Sequence, residues 1–519
     1  MKTRVSGATR REFLVTAGAT AAIAWMRREA VAQETPADLA LEKKLAADPM
    51  RPQFHLLPAK NWMNDPNGPV NFNGSYHMFF QYNPHGPTWG DMNWNHAVSK
   101  DMMHWTHLPI ALTPTPESPD AFGCFSGSAI PVGKRVYMVY TGTVASTPEL
   151  ATLRDGHSNI LETQCLAYSD DPGLIRWTKL PEPVIAKPPP GMKVSGFRDP
   201  SVWKQGDRYY MIVGSGEYRV GGCVLLYRSR DLRTWEYLHR LTSGEWTGKP
   251  AANPCDNGEM WECPEFFALD GGHVLIYSTM GKVFWESGKL DEATMKFKSM
   301  KTGLLDLDAF YAPKTQLDAQ GRRILWGWVP ERRSDDEMRK AGWSGMMSLP
   351  RVMNLDKDRS LQLTMLPELK TLRGAATNEV ARACGEILYE GQPGGGDFEM
   401  VLSSSHGAKE LMRATYSAAE HRMTVDGHEI PVAPGQGVHL HGYVDGSVIE
   451  LIVNRSVGYT KRFYYPEAIA PNITIQASGQ NDKKVEVSAW SIVPISDNRL
   501  TTPARRLVSP FLPRRRARM

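Results

Sequence analysis

FRDPSVWKQGDRYYMIVGSG, residues 197–216, runs from a short polar head through a Gly206-Asp207 turn into a run of Tyr, Met, Ile and Val. A polar head, a glycine-containing turn and a run rich in aromatic and β-branched residues read as a β-hairpin whose second strand is buried. Four further stretches keep this order: NDPNGPVNFNGSYHMFFQYNP from Asn64, FSGSAIPVGKRVYMVYTGT from Phe125, WECPEFFALDGGHVLIYSTM from Trp261 and FYAPKTQLDAQGRRILWGWV from Phe310. Their turns fall at Asn73-Gly74, Gly133-Lys134, Gly271-Gly272 and Gln320-Gly321. Between the hairpins lies a second repeat, Ser, acid, a few residues, Trp, then Leu: SKDMMHWTHL ends at Leu108, SDDPGLIRWTKL at Leu180 and SRDLRTWEYL at Leu238. Two strand pairs per repeat make a four-stranded unit, and spacings of about 50 to 70 residues suit propeller blades with loop insertions. Five units predict an all-β, five-bladed β-propeller; a β-sandwich with coincidental punctuation is the alternative.

Beyond about residue 353 the character changes. LDKDRSLQLTMLPELKTLR, 355–373, reads as a connector with room for a short helix. FEMVLSSS, LMRATYSA, HRMTVDG, GVHLHGYVDGSVIELIVN and NITIQASG then alternate as strands with Gly and Asn turns, a β-sandwich signal. No head motif recurs there, so this C-terminal β-sandwich is expected to cover a propeller face or add to a substrate rim. The resulting organisation is a signal peptide at 1–32, a lead-in at 33–50, the propeller at 51–353, a connector at 354–380, the sandwich at 381–495 and a basic tail at 496–519.

At 519 residues the chain exceeds one ordinary core, and its 45 Gly, 37 Pro and 15 Trp suit many turns and stacking surfaces. The formal charge of +4 is small, and part of it sits at the ends, in Arg10, Arg11, Arg27, Arg28 and the RRRAR at 514–518. No basic face wide enough for nucleic acid results. The tail reads as a solvated segment, with weak adhesion to an anionic surface as the other option. TRREFLV at 9–15, the weakly apolar VTAGATAAIAWM and the small-residue site Ala30-Val31-Ala32 resemble a twin-arginine export signal cleaved after Ala32. The apolar stretch falls short of the roughly 20 residues that span a bilayer, which argues against a membrane anchor. The mature protein is therefore expected outside the cytoplasm, with no stable membrane insertion. Cys124, Cys165, Cys223, Cys255, Cys263 and Cys384 lack the close pairing of a zinc site and are expected to be mostly free and buried, with one disulfide, between Cys255 and another loop cysteine, left open.

NDPNG at 64–68 is by itself ordinary turn material. Its company changes the reading, because FRDP at 197–200 and WECPE at 261–265 occupy the same place in their own repeats. Asp65, Asp199 and Glu262 then stand at equivalent ends of inner strands, facing one another across a central channel. Three carboxylates so placed repel, which costs stability unless a metal or a reaction uses them. A catalytic metal fits poorly: no head supplies a His, and His55, His77, His85 and His96 lack metal-site spacing, although calcium could take three carboxylates. No metal and no cofactor are assigned. Glycoside hydrolysis fits better, since it needs one carboxyl ionised and another protonated. Trp62, Trp89, Trp94, Phe125, Trp261, Tyr311 and Trp328 lie in or beside the heads and can stack on a sugar, while Asn64, Gln81, Ser126 and Arg198 can bond its hydroxyls. Taken singly, each of these aromatics reads first as core.

WMNDPNG at 62–68, FSGS at 125–128, FRDP, WECPE, FYAPKT at 310–315 and WSGMMSLPR at 343–351 together resemble the successive motifs of glycoside hydrolase family 32, which contains invertases, inulinases and levanases. The resemblance runs from about residue 51 to 495 and implies a five-bladed propeller followed by a β-sandwich. It implies that Asp65 is the nucleophile at the anomeric C2 of a β-fructofuranosyl unit, Glu262 the general acid/base, and Asp199 the carboxylate that holds fructose hydroxyls and stabilises the oxocarbenium-like transition state. Retention would follow, with Asp65 and Glu262 about 5 to 5.5 Å apart. Asn64, Gln81, Trp89, Phe125, Ser126, Arg198 and Trp328 fall where the family lines its fructose pocket. Two departures stand out: Trp94-Asn95-His96-Ala97 replaces the WGHA of many relatives, and Glu265 stands where Asp is frequent. The expected partner is sucrose or a fructan. A hydrolase, a fructosyltransferase on the same site and a non-catalytic carbohydrate-binding propeller remain as alternatives, and the intact trio argues against the last.

Overall fold

The computed structural model describes residues 36–154, 159–392, 394–479 and 485–496. The segment through Ala32 that was expected to be an export signal and the cationic tail beyond residue 496 lie outside the described residues.

The described residues are nearly all β. Among them five sheets of four to five strands come first. Their first strands are Asn61–Phe72, Gly123–Val132, Val194–Gln205, Glu262–Leu269 and Tyr311–Leu317. Each opens with one of the polar heads and pairs antiparallel with the strand after it. Consecutive first strands touch, and the fifth touches the first, so the five close a ring.

The hairpin turns form for the reason the sequence suggests. Asn73 and Gly74 both take left-handed conformations (φ 49° and 68°), matching the right-handed twist of the strands they join. In the fourth sheet the turn falls one residue before the expected Gly271-Gly272, at Asp270 and Gly271 (φ 45° and 72°), because Gly272 already pairs with Leu269. The second repeat makes the turn between third and fourth strands. Ser99 Oγ accepts from Met102 N–H (2.9 Å), and Asp101 Oδ1 accepts from the N–H groups of Met103 (2.9 Å) and His104 (2.8 Å). Ser229 and Asp231 repeat these bonds in the third sheet, where Trp235 Nε1 donates to Leu232 O (3.0 Å). Short polar side chains thus satisfy backbone donors that the tight turn would otherwise orphan.

Successive sheets bury apolar layers between them. Val70, Phe79, Trp94, Met138 and Tyr140 fill the space between the first and second sheets. Leu166, Phe197, Met211 and Leu225 lie between the second and third, and Ile212, Leu226, Trp261 and Leu275 between the third and fourth. Each fully buried large aliphatic or aromatic side chain contributes about 1.5–3 kcal/mol.

The fifth sheet continues through Arg351–Leu355 and Leu361–Met365, past residue 353 where a connector was expected to begin. Leu361, Leu363 and Met365 alternate inward in that strand, a period-2 signal inside a segment read as linker. The short helix expected there is the 3-10 turn Pro367–Leu372. Two six-stranded sheets follow, packed on a core that includes Met400, Met412, Leu440, Val444 and Leu451.

A buried ionic seam joins one of these two sheets, the one that holds His439–Asp445 and Val448–Val453, to the ring. Arg351 Nη1 bonds Asp306 Oδ2 (2.8 Å) and its Nη2 bonds Glu450 Oε2 (2.7 Å). His55 bonds Asp445 Oδ2 (2.7 Å) and Glu450 Oε1 (2.9 Å), with all these side chains fully excluded from solvent. Burial alone would discharge His55, but hydrogen bonds and charge from Asp445 and Glu450 raise its pKa to about 9. Among the described residues no helix is long and apolar enough to cross a membrane.

Candidate active site

Each first strand breaks its ladder at the head. Pairing skips between Met63 and Pro66, Phe125 and Gly127, Arg198 and Ser201, Glu262 and Glu265, and Tyr311 and Lys314. Three of these bulges hold a proline, which has no N–H to give the ladder, and in the first strand Pro66 is the first residue back in it. Aligned on that proline, Asp65, Asp199, Cys263 and Ala312 are equivalent, as are Asn64, Arg198, Glu262 and Tyr311. Glu262 therefore stands one residue before the position of the two aspartates. Asp199, Cys263 and Ala312 take left-handed backbone (φ 64°, 48° and 48°), a conformation that costs a side-chain-bearing residue about 1–3 kcal/mol and tends to mark functional sites.

The bulges bring three carboxyl groups together. Asp65 Oδ2 accepts from Ser126 Oγ (2.6 Å) and Asp65 Oδ1 from Asn64 Nδ2 (2.9 Å). Asn64 is oriented by Trp62 Nε1, which donates to its Oδ1 (2.6 Å). Asp199 Oδ2 accepts from the Cys263 N–H (2.9 Å), and the Cys263 thiol lies 3.5 Å from both Asp65 Oδ2 and Asp199 Oδ2. Glu262 Oε1 accepts from Arg198 Nη2 (2.8 Å) and Oε2 from Tyr311 OH (2.7 Å). Arg198 is fixed from behind by Glu162, whose Oε1 takes Nη1 (2.9 Å) and whose Oε2 takes the Phe197 N–H (2.7 Å).

These contacts separate the acidities. Burial is the main influence on Asp199, reinforced by the charges of Glu262 and Asp65 and opposed by Arg198, and its pKa rises to about 7. Asp65 is also raised, by burial first, against the opposing bonds from Ser126 and Asn64. Burial pushes Glu262 the same way, but the Arg198 charge and the bonds from Tyr311, Arg198 and Cys255 win and hold it below its ordinary value. Glu262 is thus held toward its ionised form and the two aspartates toward their protonated forms. An ionised and a protonated carboxyl side by side can perform nucleophilic and acid/base chemistry.

The remaining expected residues divide. Trp62 and Trp328 pack at 5.8 Å, and Phe125 joins their cluster beside Met92 and Met338. Trp89, 56% exposed, stands edge-on to Phe125 at 6.0 Å. These four rings form an aromatic wall. Gln81 is buried and donates through Nε2 to Cys124 O (3.0 Å), while its Oε1 has no partner. Trp94 and Trp261 are not stacking surfaces. Trp94 is fully buried between sheets, and Trp261 stacks on Tyr277 at 3.8 Å beneath Gly222 and Gly244, where added Cβ atoms would stand 2.1 and 2.6 Å from its ring. All six cysteines are buried and free, so the Cys255 disulfide is not formed.

Sequence reasoning missed Tyr311 as a donor to Glu262, Cys263 between the aspartates, and Glu162 behind Arg198. The proline alignment signals the first two. Nothing local signals Glu162, which reaches Arg198 from the neighbouring sheet.

Two family models match the chain: Glycosyl hydrolases family 32 N-terminal domain over residues 55–367 and Glycosyl hydrolases family 32 C terminal over residues 356–491. The chain is 33% identical over 468 residues to a sucrose-6-phosphate hydrolase of Escherichia coli, covering 82% of this chain and 92% of that protein. It is 34% identical over 450 residues to a raffinose invertase of Escherichia coli, covering 83% of each. Among solved structures it resembles a Bombyx mori GH32 beta-fructofuranosidase (TM-score 0.73, 27% identity, covering 88% of this chain and 97% of that one), a mutant of which was solved in complex with sucrose. It also resembles fructan 1-exohydrolase IIa from Cichorium intybus (TM-score 0.71, 26% identity, covering 86% and 98%).

Proposed function

The chain belongs to glycosyl hydrolase family 32 and is a glycoside hydrolase, and from that premise we propose that it is an exported, retaining β-fructosidase that releases terminal β-D-fructofuranosyl units from sucrose or fructans. The observation that carries the reading is the trio itself: Asp65, Asp199 and Glu262 on three bulges, linked by one thiol and one guanidinium. The five sheets are read as the blades of a five-bladed propeller, with the two six-stranded sheets as the sandwich behind it.

In this mechanism Asp65 attacks the anomeric carbon while Glu262 protonates the departing oxygen. Glu262 then takes a proton from water, which hydrolyses the fructosyl ester. Asp199 binds ring hydroxyls and stabilises the positive charge that develops at the anomeric centre. The free site holds its proton away from Glu262, so substrate must move it. Fructose hydroxyls donate to Asp65 and Asp199 in place of lost solvent, which favours their ionised forms, and the proton falls to Glu262. Asn64, Gln81, Ser126 and Arg198 complete the polar pocket, and Trp62, Trp89, Phe125 and Trp328 supply flat apolar surface to the sugar. A twin-arginine signal would deliver the enzyme to sugars that have not been phosphorylated, which favours sucrose and fructans over sucrose 6-phosphate.

The test is product analysis with the purified mature chain on sucrose, sucrose 6-phosphate, inulin and levan, beside Glu262→Ala. Free fructose from the native protein, lost in the variant, supports the reading. Longer fructosides would make it a transferase, and no release from any of the four would overturn it.

A further inference from the structure

The strands that carry Asp199, Glu262 and Tyr311 are tied together directly beneath their bulges by one buried acid. Glu265 Oε1 accepts from Ser201 Oγ (2.7 Å) and Lys314 Nζ (3.2 Å), and its Oε2 accepts from Thr315 N–H (3.1 Å) and Oγ1 (2.9 Å). Lys314 Nζ also donates to Pro264 O (3.2 Å), inside the bulge that follows Glu262. Ser201, Glu265 and Lys314 are in each case the first residue to re-enter the ladder after the bulge. One carboxylate therefore clamps the base of three heads from three different sheets.

We propose that Glu265 and Lys314 are positioning residues for the reaction, holding the bulges of Asp199, Glu262 and Tyr311 in mutual register and placing a buried positive charge beneath the carboxylate trio. This rests on the reading of the trio as catalytic. Stability alone does not account for the pair: both side chains are buried, Lys314 at 1% exposure, and apolar residues of similar volume commonly replace such a pair without loss. The charge is also aimed usefully, since Lys314 interacts electrostatically with Asp199 and with the Cys263 thiol that bridges the aspartates.

Other titratable groups surround the trio, among them Asp256, whose carboxyl is pushed up by burial and by the Glu262 charge. Arg198 faces it from the head side and is shared between Glu262 and Glu162. Cys255 lies 3.3 Å from Arg198 Nη2. Below the brace, the Arg323 charge reaches Glu265, and its Nη1 lies 3.4 Å from Thr315 Oγ1. A cavity of ≈ 360 Å³ opens on that far side, lined by Ser201, Glu265, Lys314 and Arg323 among others, so altered side chains at the brace have room.

The test compares Glu265→Gln, Lys314→Met, the double variant and Glu265→Asp, measuring kcat and KM for sucrose across pH with thermal melts alongside. Lys314→Met removes a cation and should move the acid limb of kcat up by about one pH unit. Glu265→Gln leaves that cation unneutralised and should move the limb down by a similar amount. Each lowers kcat about tenfold with KM within about twofold, as expected for loosened transition-state geometry. The double variant should restore the limb position while kcat stays low, and Glu265→Asp, which keeps the charge, should leave the limb in place. Limbs that move in the same direction in both single variants, or do not move, would overturn the proposal, as would a displaced limb in the double variant if a single variant does not fold. Absence of fructose release by the wild type would instead overturn the functional reading beneath it.

Discussion

Replacing Tyr311 with Phe removes one hydrogen bond and keeps the ring. The lost bond is the 2.7 Å donation from Tyr311 OH to Glu262 Oε2, which helps hold the Glu262 carboxyl below its ordinary value. A hydrogen bond to a charged group contributes about 1.5–3 kcal/mol, and one pKa unit corresponds to about 1.4 kcal/mol, so Glu262 should rise by about one to two units. Glu262 must be protonated to serve as the acid, and substrate moves the proton to it, so the basic limb of kcat, which reports the substrate complex, should move to higher pH by that amount. The stability change has a matching sign. A depressed carboxyl stabilises the fold above its unfolded pKa and loses that contribution as pH falls through the folded one, so the melting-point loss in Tyr311→Phe should be larger at pH 7 than at pH 3. Initial rates of fructose release from sucrose between pH 4 and 9, paired with melts at both pH values, measure both effects. A basic limb that stays in place or moves down would refute the assignment of Glu262 as the acid, of Tyr311 as its partner, or both.

Asp65→Asn should reduce kcat/KM by about 10⁴-fold or more without lowering the melting temperature, because burial and the Glu262 charge already disfavour the ionised Asp65 that the variant removes; a clear drop in melting temperature would contradict the stated strain. Arg198→Met should destabilise by about 3–5 kcal/mol in denaturant titration, since it leaves buried Glu162 and part-buried Glu262 without their shared cation. His55, raised from 6.5 to about 9, stabilises fully below pH 6.5 and loses that contribution as pH rises through about 9. The loss is on the order of 3 kcal/mol, and His55→Gln should flatten stability between pH 6.5 and 9, which urea melts at several pH values would detect.

The hairpins and the trio were legible in the sequence because their determinants are local. Asn73-Gly74 specifies its turn by backbone preference, and Asn-Asp-Pro, Arg-Asp-Pro and Glu-Cys-Pro mark bulges through the missing proline N–H. The outer strand Leu361–Met365 was missed although its alternation is plain, because it is a single short strand following a turn of charged residues.

By itself, then, the chain determined five repeated hairpins, the family and the three carboxyl groups that face one another. Which aromatic rings line the site was decided only in three dimensions: Trp261 lies in the same motif as Glu262 and Trp94 heads the Trp-Asn-His-Ala stretch, yet packing between sheets buries both. The ionisation of the trio was decided there too. Arg198 reaches Glu262 across 64 positions, Tyr311 reaches it across 49, and Ser126 reaches Asp65 across 61. A pKa is set by burial and by whichever charges and donors arrive within a few ångströms, and in this protein they arrive from other sheets, whose approach no local pattern encodes.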